Sequence, residues 1–149
     1  MASEFIGLGM APRRGKLYPY QINSAGLKEG AVVMFDASAN GQLVKAPTGA
    51  AVAGVAGVIA DVLNVTTGTV IGTDVNLQID EIGMVILKNG LTVAPGDALV
   101  VAGTDGSVRK LDSTTDDGAD IVGYSQVAKT AGATNEMILA RIAITRFET

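Results

Sequence analysis

Asp116, Asp117 and Asp120 cluster in "STTDDGAD", residues 113 to 120. Hard cations take carboxylate oxygens, so this spacing could recruit one; an exposed loop kept soluble by its charge accounts for the same residues. "GTDGS", 103 to 107, carries Asp105 but lacks the repeated oxygen ligands and closing Glu of an EF-hand, and reads as a turn. "GLGMAPRRGK", 7 to 16, has glycines and a lysine without the spacing of a phosphate-cradling loop, and no strand leads into it. Ser24, Ser38, Ser107 and Ser125 have no histidine to activate them, and none lies in a nucleophile elbow.

Histidine and cysteine are both absent. Without histidine the chain lacks the commonest general base at neutral pH and the commonest transition-metal ligand. Without cysteine it has no disulfide framework and no thiolate site, and it suits a reducing cytoplasm. Lys, Asp and Glu could still act as acids or bases, so catalysis is disfavoured without being excluded. No catalytic residue, cofactor or metal ligand is nominated. "VAPGDALV", 93 to 100, looks like the strand turn of a biotin- or lipoyl-carrier domain, but Lys88 in "LKNG" and Lys110 in "RKLD" match neither carrier motif.

The elements behind these residues read as strands. Nineteen glycines, 48% hydrophobic and 17% charged residues in 149 describe a turn-rich folded chain. The longest apolar run, "AAVAGVAGVIA" at 50 to 60, is broken by glycine and too short for a membrane span, and the start does not read as a signal peptide. Strands are expected at 31–36, 42–46, 55–63, 69–71, 74–79, 83–87, 98–101, 107–111, 121–128 and 136–144. Turn residues recur every eight to twelve positions, as in a barrel or sandwich, and Asn40-Gly41 marks a hairpin. No window offers a convincing amphipathic helix. Tyr124 and Phe35 are expected in the core.

Residues 1–26 contain Gly7, Gly9, Pro12, Gly15 and Pro19 and no sustained period, so an extended arm is expected there, with a β-barrel domain over 27–149. The arm is apolar as well as basic: Arg13, Arg14, Lys16 and Lys28 face only Glu4 over residues 1–28, whereas residues 29–149 hold seven basic and fourteen acidic groups. An acidic body disfavours direct nucleic-acid binding. Three basic arm residues could be a solvated tail or could dock onto an acidic protein surface.

The chain also repeats. "LKEGAVVMFDASANGQLVKA", 27 to 46, matches "VAPGDALVVAGTDGSVRKL", 93 to 111, and each is followed by a similar strand, "VAGVIADV" at 55 or "IVGYSQVA" at 121. A period of about 66 residues suits a duplicated β-module, two related halves closing one barrel, better than a solenoid.

The order of "DASANGQLVKA", "VAGVIADV", "GMVILKNGLTVAPGDALVVAGTDGSVRKL" and "ADIVGYSQVAKTAGATNEMILARI" resembles the capsid cement, or head decoration, proteins of tailed phages over about residues 27–144. The resemblance implies an all-β fold, a small barrel of the β-tulip type. It also implies a role outside the icosahedral head, stabilising contacts between major capsid protein subunits as a homo-oligomer, trimer favoured over dimer. Synthesis would be in the host cytoplasm and residence in the virion, with no membrane partner. The segment 1–26 has no counterpart in the family pattern. From composition alone, Phe5, Ile6, Leu8 and Met10 are candidate apolar capsid anchors, with Tyr18 beside them and Arg13, Arg14 and Lys16 as partners for shell carboxylates. The alternatives are another β-rich virion protein, a jelly-roll cement dimer or head spike, or an oligomeric β-barrel ligand-binding protein or enzyme.

Overall fold

The structure, a computed structural model, describes residues 16–38, 43–62 and 64–149. Its strands are β1 (Leu17–Ile22), β2 (Val32–Phe35), β3 (Leu43–Lys45), β4 (Val55–Asp61), β5 (Asp74–Gln78), β6 (Asp80–Leu87), β7 (Thr92–Val93), β8 (Ala98–Val101), β9 (Val108–Lys110), β10 (Asp120–Ser125), β11 (Lys129–Thr130) and β12 (Glu136–Arg146). They close two five-stranded barrels, β1-β3-β2-β4-β5 and β9-β6-β12-β10-β8, and β7 and β11 form a separate two-stranded ribbon. The expected all-β barrel architecture is present.

Both barrels have one connectivity. The first strand of each, β1 or β6, runs parallel to β3 or β9 and antiparallel to β5 or β12. The remaining pairings, β2 with β3 and β4, and β8 with β9 and β10, also correspond. The bonds that launch the second strand recur 66 residues on: Gly30 donates to the Ile59 carbonyl as Gly96 does to Ser125, and the Ile59 and Ser125 amides donate back to Ala31 and Asp97. Gly30 and Gly96 sit at φ 86° and 89°, where a side chain would be strained. The sequence repeat is therefore a structural one. Each half, however, closes its own barrel rather than sharing one, because β1 and β5, or β6 and β12, add two strands to the three that the repeat displays.

β1 lies inside the segment expected to be an arm. Pro19 obscured it, yet among the described residues Pro19 pairs only with β5, since β3 joins no earlier than Gln21; a one-sided stretch tolerates the missing N–H. The strand expected at 69–71 is instead a loop, pinned by the Thr69 amide to Leu27 O and the Gly72 amide to Ile22 O.

Alternation explains the core. In β2 and β4, Val33, Ala56 and Ile59 fill the first barrel with Ile22, Val44, Val75 and Leu77. Val32, Val55 and Val58 turn the other way and join Val85, Leu87, Leu99, Val101, Val122, Ile138 and Ile142 of the second. β4 is thus buried on both faces, which is why its sequence reads as a continuous apolar run. Backbone bonds cross the same seam: Val32 N to Gly106 O, Ala51 N to Val101 O and Asp120 N to Val52 O. Between β5 and β6 only Ile79 intervenes, and the buried Gln78 amide donates to Asp80 O and Ile82 O at this waist.

Candidate interaction surface

Each carboxylate of the acidic loop is engaged by the fold. Asp116 is buried and receives both terminal nitrogens of Arg109 at 2.8 Å, plus the Asp112 amide. The Arg109 guanidinium holds its carboxyl below the usual range despite burial. Asp117 accepts from the Thr149 amide and hydroxyl. Asp120 Oδ2 accepts from the Gly54 and Val55 amides at 2.8 and 2.9 Å, and Oδ1 takes Arg146 Nε at 2.9 Å. These acids staple loops and the seam between barrels. Among the described residues no group of three acidic side chains is arranged to hold a metal ion.

Asp105 is a turn residue, as its sequence suggests. Its Oδ1 accepts from the Ser107 amide and hydroxyl, and Oδ2 from Asn135. The same Asp-x-Ser/Thr device caps Asp36 with Ser38 and Asp112 with Thr114. Ser38 and Ser107 are therefore donors to aspartates, while the Ser24 hydroxyl accepts from the Ala46 amide and the Ser125 hydroxyl donates to Val127 O. Lys110 lies 3.7 Å from Asp97.

Of the nominated capsid-contact residues, Phe5, Ile6, Leu8, Met10, Arg13 and Arg14 lie outside the described residues. Lys16 and Tyr18 stand where the chain enters the first barrel, with Lys16 Nζ 5.7 Å from the Tyr18 ring centroid. Leu17 pairs with Gln78, so this entry point is at the waist. Further along β1, Tyr20 meets Phe35 edge to face at 6.1 Å. Phe35 is 44% exposed and not the core residue expected, because its partners on β3 and β1 leave it at the barrel end; Tyr124 is half-buried.

Sequence reading missed a more exposed apolar surface. Val65, Val70 and Ile71 on the β4–β5 loop are 69%, 56% and 60% exposed. That loop is fixed: the Gly26 amide donates to Thr69 O, Thr69 Oγ1 to Ser24 O, and Thr73 to Val70 O, while Lys28 Nζ bonds Thr66 O. Rigid display of β-branched side chains loses little entropy on contact with a partner. Their signal in sequence was apolar residues inside "NVTTGTVIGTD", a turn-rich stretch. Beside them an open groove of about 430 Å³ runs between the barrels, floored by Leu27, Val65, Ile86 and Met137 and edged by Lys28, Glu29, Asp105 and Glu136.

No protein-family model matches the chain, and no curated protein does. Among solved structures it is similar to the N-terminal base of the head fiber protein gp8.5 of bacteriophage phi29, with a TM-score of 0.53, 12% identity, 90% of this chain and 98% of that chain covered; the likeness is one of fold.

Proposed function

We propose that this chain is a structural protein of a phage virion that decorates the outside of the head. In this reading it binds the major capsid protein as a homo-oligomer, a trimer before a dimer, and stabilises contacts between shell subunits. The observation that carries the reading is the fold likeness to a phage head fiber base, which extends over both barrels. Three features support it. The chain has no histidine or cysteine, the acids of its 113–120 loop are spent on structure, and it presents a rigid apolar loop at the end of the first barrel away from the waist. A cement acts by mass action: a protein that binds only the assembled lattice lowers its free energy, and many copies multiply modest contacts.

The experiment is co-sedimentation of the purified chain with undecorated capsids of its phage, beside a variant lacking residues 2–16 and a Val70→Asp/Ile71→Asp variant. Saturable binding that raises the temperature of capsid disruption is expected. The deletion should abolish binding, and the double substitution should weaken it at least tenfold while shifting stability by no more than about 0.5 kcal/mol, as for exposed sites. Absence of binding by the intact chain would reject the reading. The same likeness favours a second reading, the base of a head fiber, which would bind capsids without raising their heat resistance.

A further inference from the structure

We propose that the outward face of β6 and β12, in the second barrel, is the surface through which copies of this chain meet. The inference rests on the homo-oligomer of the proposed function and names the face that makes it.

An antiparallel sheet with one face in solvent alternates apolar with polar residues, whereas a sheet that is apolar on both faces is buried on both. Inward, β6 and β12 send Val85, Leu87, Ile138, Ala140 and Ile142 into the second core. Their outward positions pair Ile82 with Arg141, Met84 with Leu139 and Ile86 with Met137, and are apolar in five of six cases. Tyr124 of β10 continues the face beside Arg141. Ile86 packs on the first core, but Ile82, Met84, Tyr124, Met137 and Leu139 join neither core.

The molecule holds two controls. β4 is also apolar on both faces, and there the second face is covered by the other barrel. β5, which has in the first barrel the place of β12 in the second, carries Asp74 and Asn76 at its outward positions. The connectivity therefore imposes no apolar exterior, and the one on β6 and β12 belongs to their own sequence.

The charges on the face fit a second copy. Over residues 29–149 fourteen acidic groups outnumber seven basic ones, so two copies repel except where acids are few or matched. Here Arg141 stands between Ile82 and Tyr124, and Asp80 and Glu81 stand at the edge, where β6 begins. All three are exposed, and none is in an ion pair among the described residues. Turned toward the same face of a neighbour, Arg141 of one copy meets Asp80 or Glu81 of the next. The apolar side chains then close on one another, as the charge-poor centre of a symmetric interface requires. Ile86 and Met137 also floor the groove, so the covered surface extends into it toward Leu27 and Val65.

Light scattering on the purified full chain tests this without capsids. The intact chain is expected at a multiple of its 15.1 kDa. Leu139→Asp should weaken self-association at least about thirtyfold, as at the centre of an interface. Arg141→Asp should weaken it too, and mixing that variant with Asp80→Arg/Glu81→Arg should restore oligomers that neither forms alone. If Leu139→Asp folds poorly, Leu139→Cys supplies the check, since the chain has no other cysteine. Its thiol should react with a water-soluble maleimide at least about tenfold more slowly than in a chain that also carries Arg141→Asp, because reactivity follows exposure. An oligomer unchanged by these substitutions would overturn the proposal and place the contact on another face. A monomeric intact chain would overturn it as well; if that monomer binds capsids, the face is left to the shell and the decoration reading stands. An oligomer that dissociates as expected yet binds no capsid upholds this face and rejects the decoration reading.

Discussion

In the first barrel, Phe35, Val65, Val70 and Ile71 stand well out into solvent, whereas in the second Met137 is the one large hydrophobic residue exposed to that degree among the described residues. Among the described residues the charged pairs are distributed the other way. Arg109–Asp116, Lys110–Asp97, Lys129–Glu136 and Arg146–Asp120 all belong to the second barrel, against Lys45–Asp36 in the first. Two copies of one connectivity have thus been finished differently: one surface carries more ion pairs, the other is left apolar at the end where the β1–β2 and β4–β5 loops meet. A duplicated scaffold lets one copy supply rigidity while the other varies its loops for contact.

The largest expected effect comes from equivalent glycines in β4 and β10. A Cβ on Gly123 would fall well inside contact distance of the Arg141 carbonyl oxygen, on the neighbouring strand β12, and backbone cannot step aside. One on Gly57, 66 residues earlier, would meet Gln78 O at 3.0 Å. Gly123→Ala should therefore cost about 4 kcal/mol or more, or prevent folding, and Gly57→Ala about 1–3 kcal/mol, read by urea unfolding. Equal costs would break the expectation that β10 is packed more closely on its neighbour at Gly123 than β4 is at Gly57.

Next in size is the seam. Asp120→Ala leaves the Gly54 and Val55 amides and Arg146 without their shared acceptor, at an expected cost of about 1–3 kcal/mol. Asp120→Asn, which keeps one oxygen for the amides, should cost less. In the native chain, unfolding followed through Tyr20 in the first barrel and Tyr124 in the second, each in a variant with the other tyrosines changed to Phe, should coincide, because Val32, Val55 and Val58 make the second core partly a property of the first. Separate transitions would show two independent domains. Divergence of the probes in Asp120→Ala alone would show that the carboxylate, more than the valines, couples them.

Much of this was legible in sequence where a local rule applied. Gly30 and Gly96 fix the same turn, the Asp-x-Ser stretches predict turns that the hydroxyls then cap, and the 66-residue repeat announced the two halves. The arrangement of the halves was not legible. β4 is a seam strand because Val55 and Val58 face another barrel, and an apolar run says that both faces are buried without saying against what. Pro19 hid β1 because proline's cost depends on whether a neighbouring strand needs its N–H, a tertiary fact. The same limit applies to the surface. Val65, Val70 and Ile71 look like any short apolar residues until the bonds of Thr69 and Gly72 hold them outward, and Asp116, which looked like a cation ligand, is taken by an arginine seven positions earlier.

The smallest effect separates the two capped aspartates. Bonds from the Ser38 hydroxyl, the Asn23 amide and the Ser38 backbone hold Asp36 at a pKa of about 2, below its usual 3.8. At Asp105 partial burial opposes the shift, yet the Ser107 and Asn135 bonds still leave its pKa lowered. A carboxylate depressed in the folded state contributes stability that is fully present above its unfolded pKa and is lost as pH falls through the folded value. For Asp36 that window runs from about pH 4 down to about 2. Asp36→Asn should therefore flatten the fall in urea midpoint across this window and lower the midpoint at neutral pH, where the ionised form does its work. Ser38→Ala, which removes the strongest of the bonds, should reproduce part of both changes. Asp105→Asn should flatten the same limb less, because burial already offsets its bonds. If Asp105 instead dominates the acid limb, the first barrel's cap is the weaker of the two, and the pairing of a device 69 residues apart in the two halves carries no common energetic role.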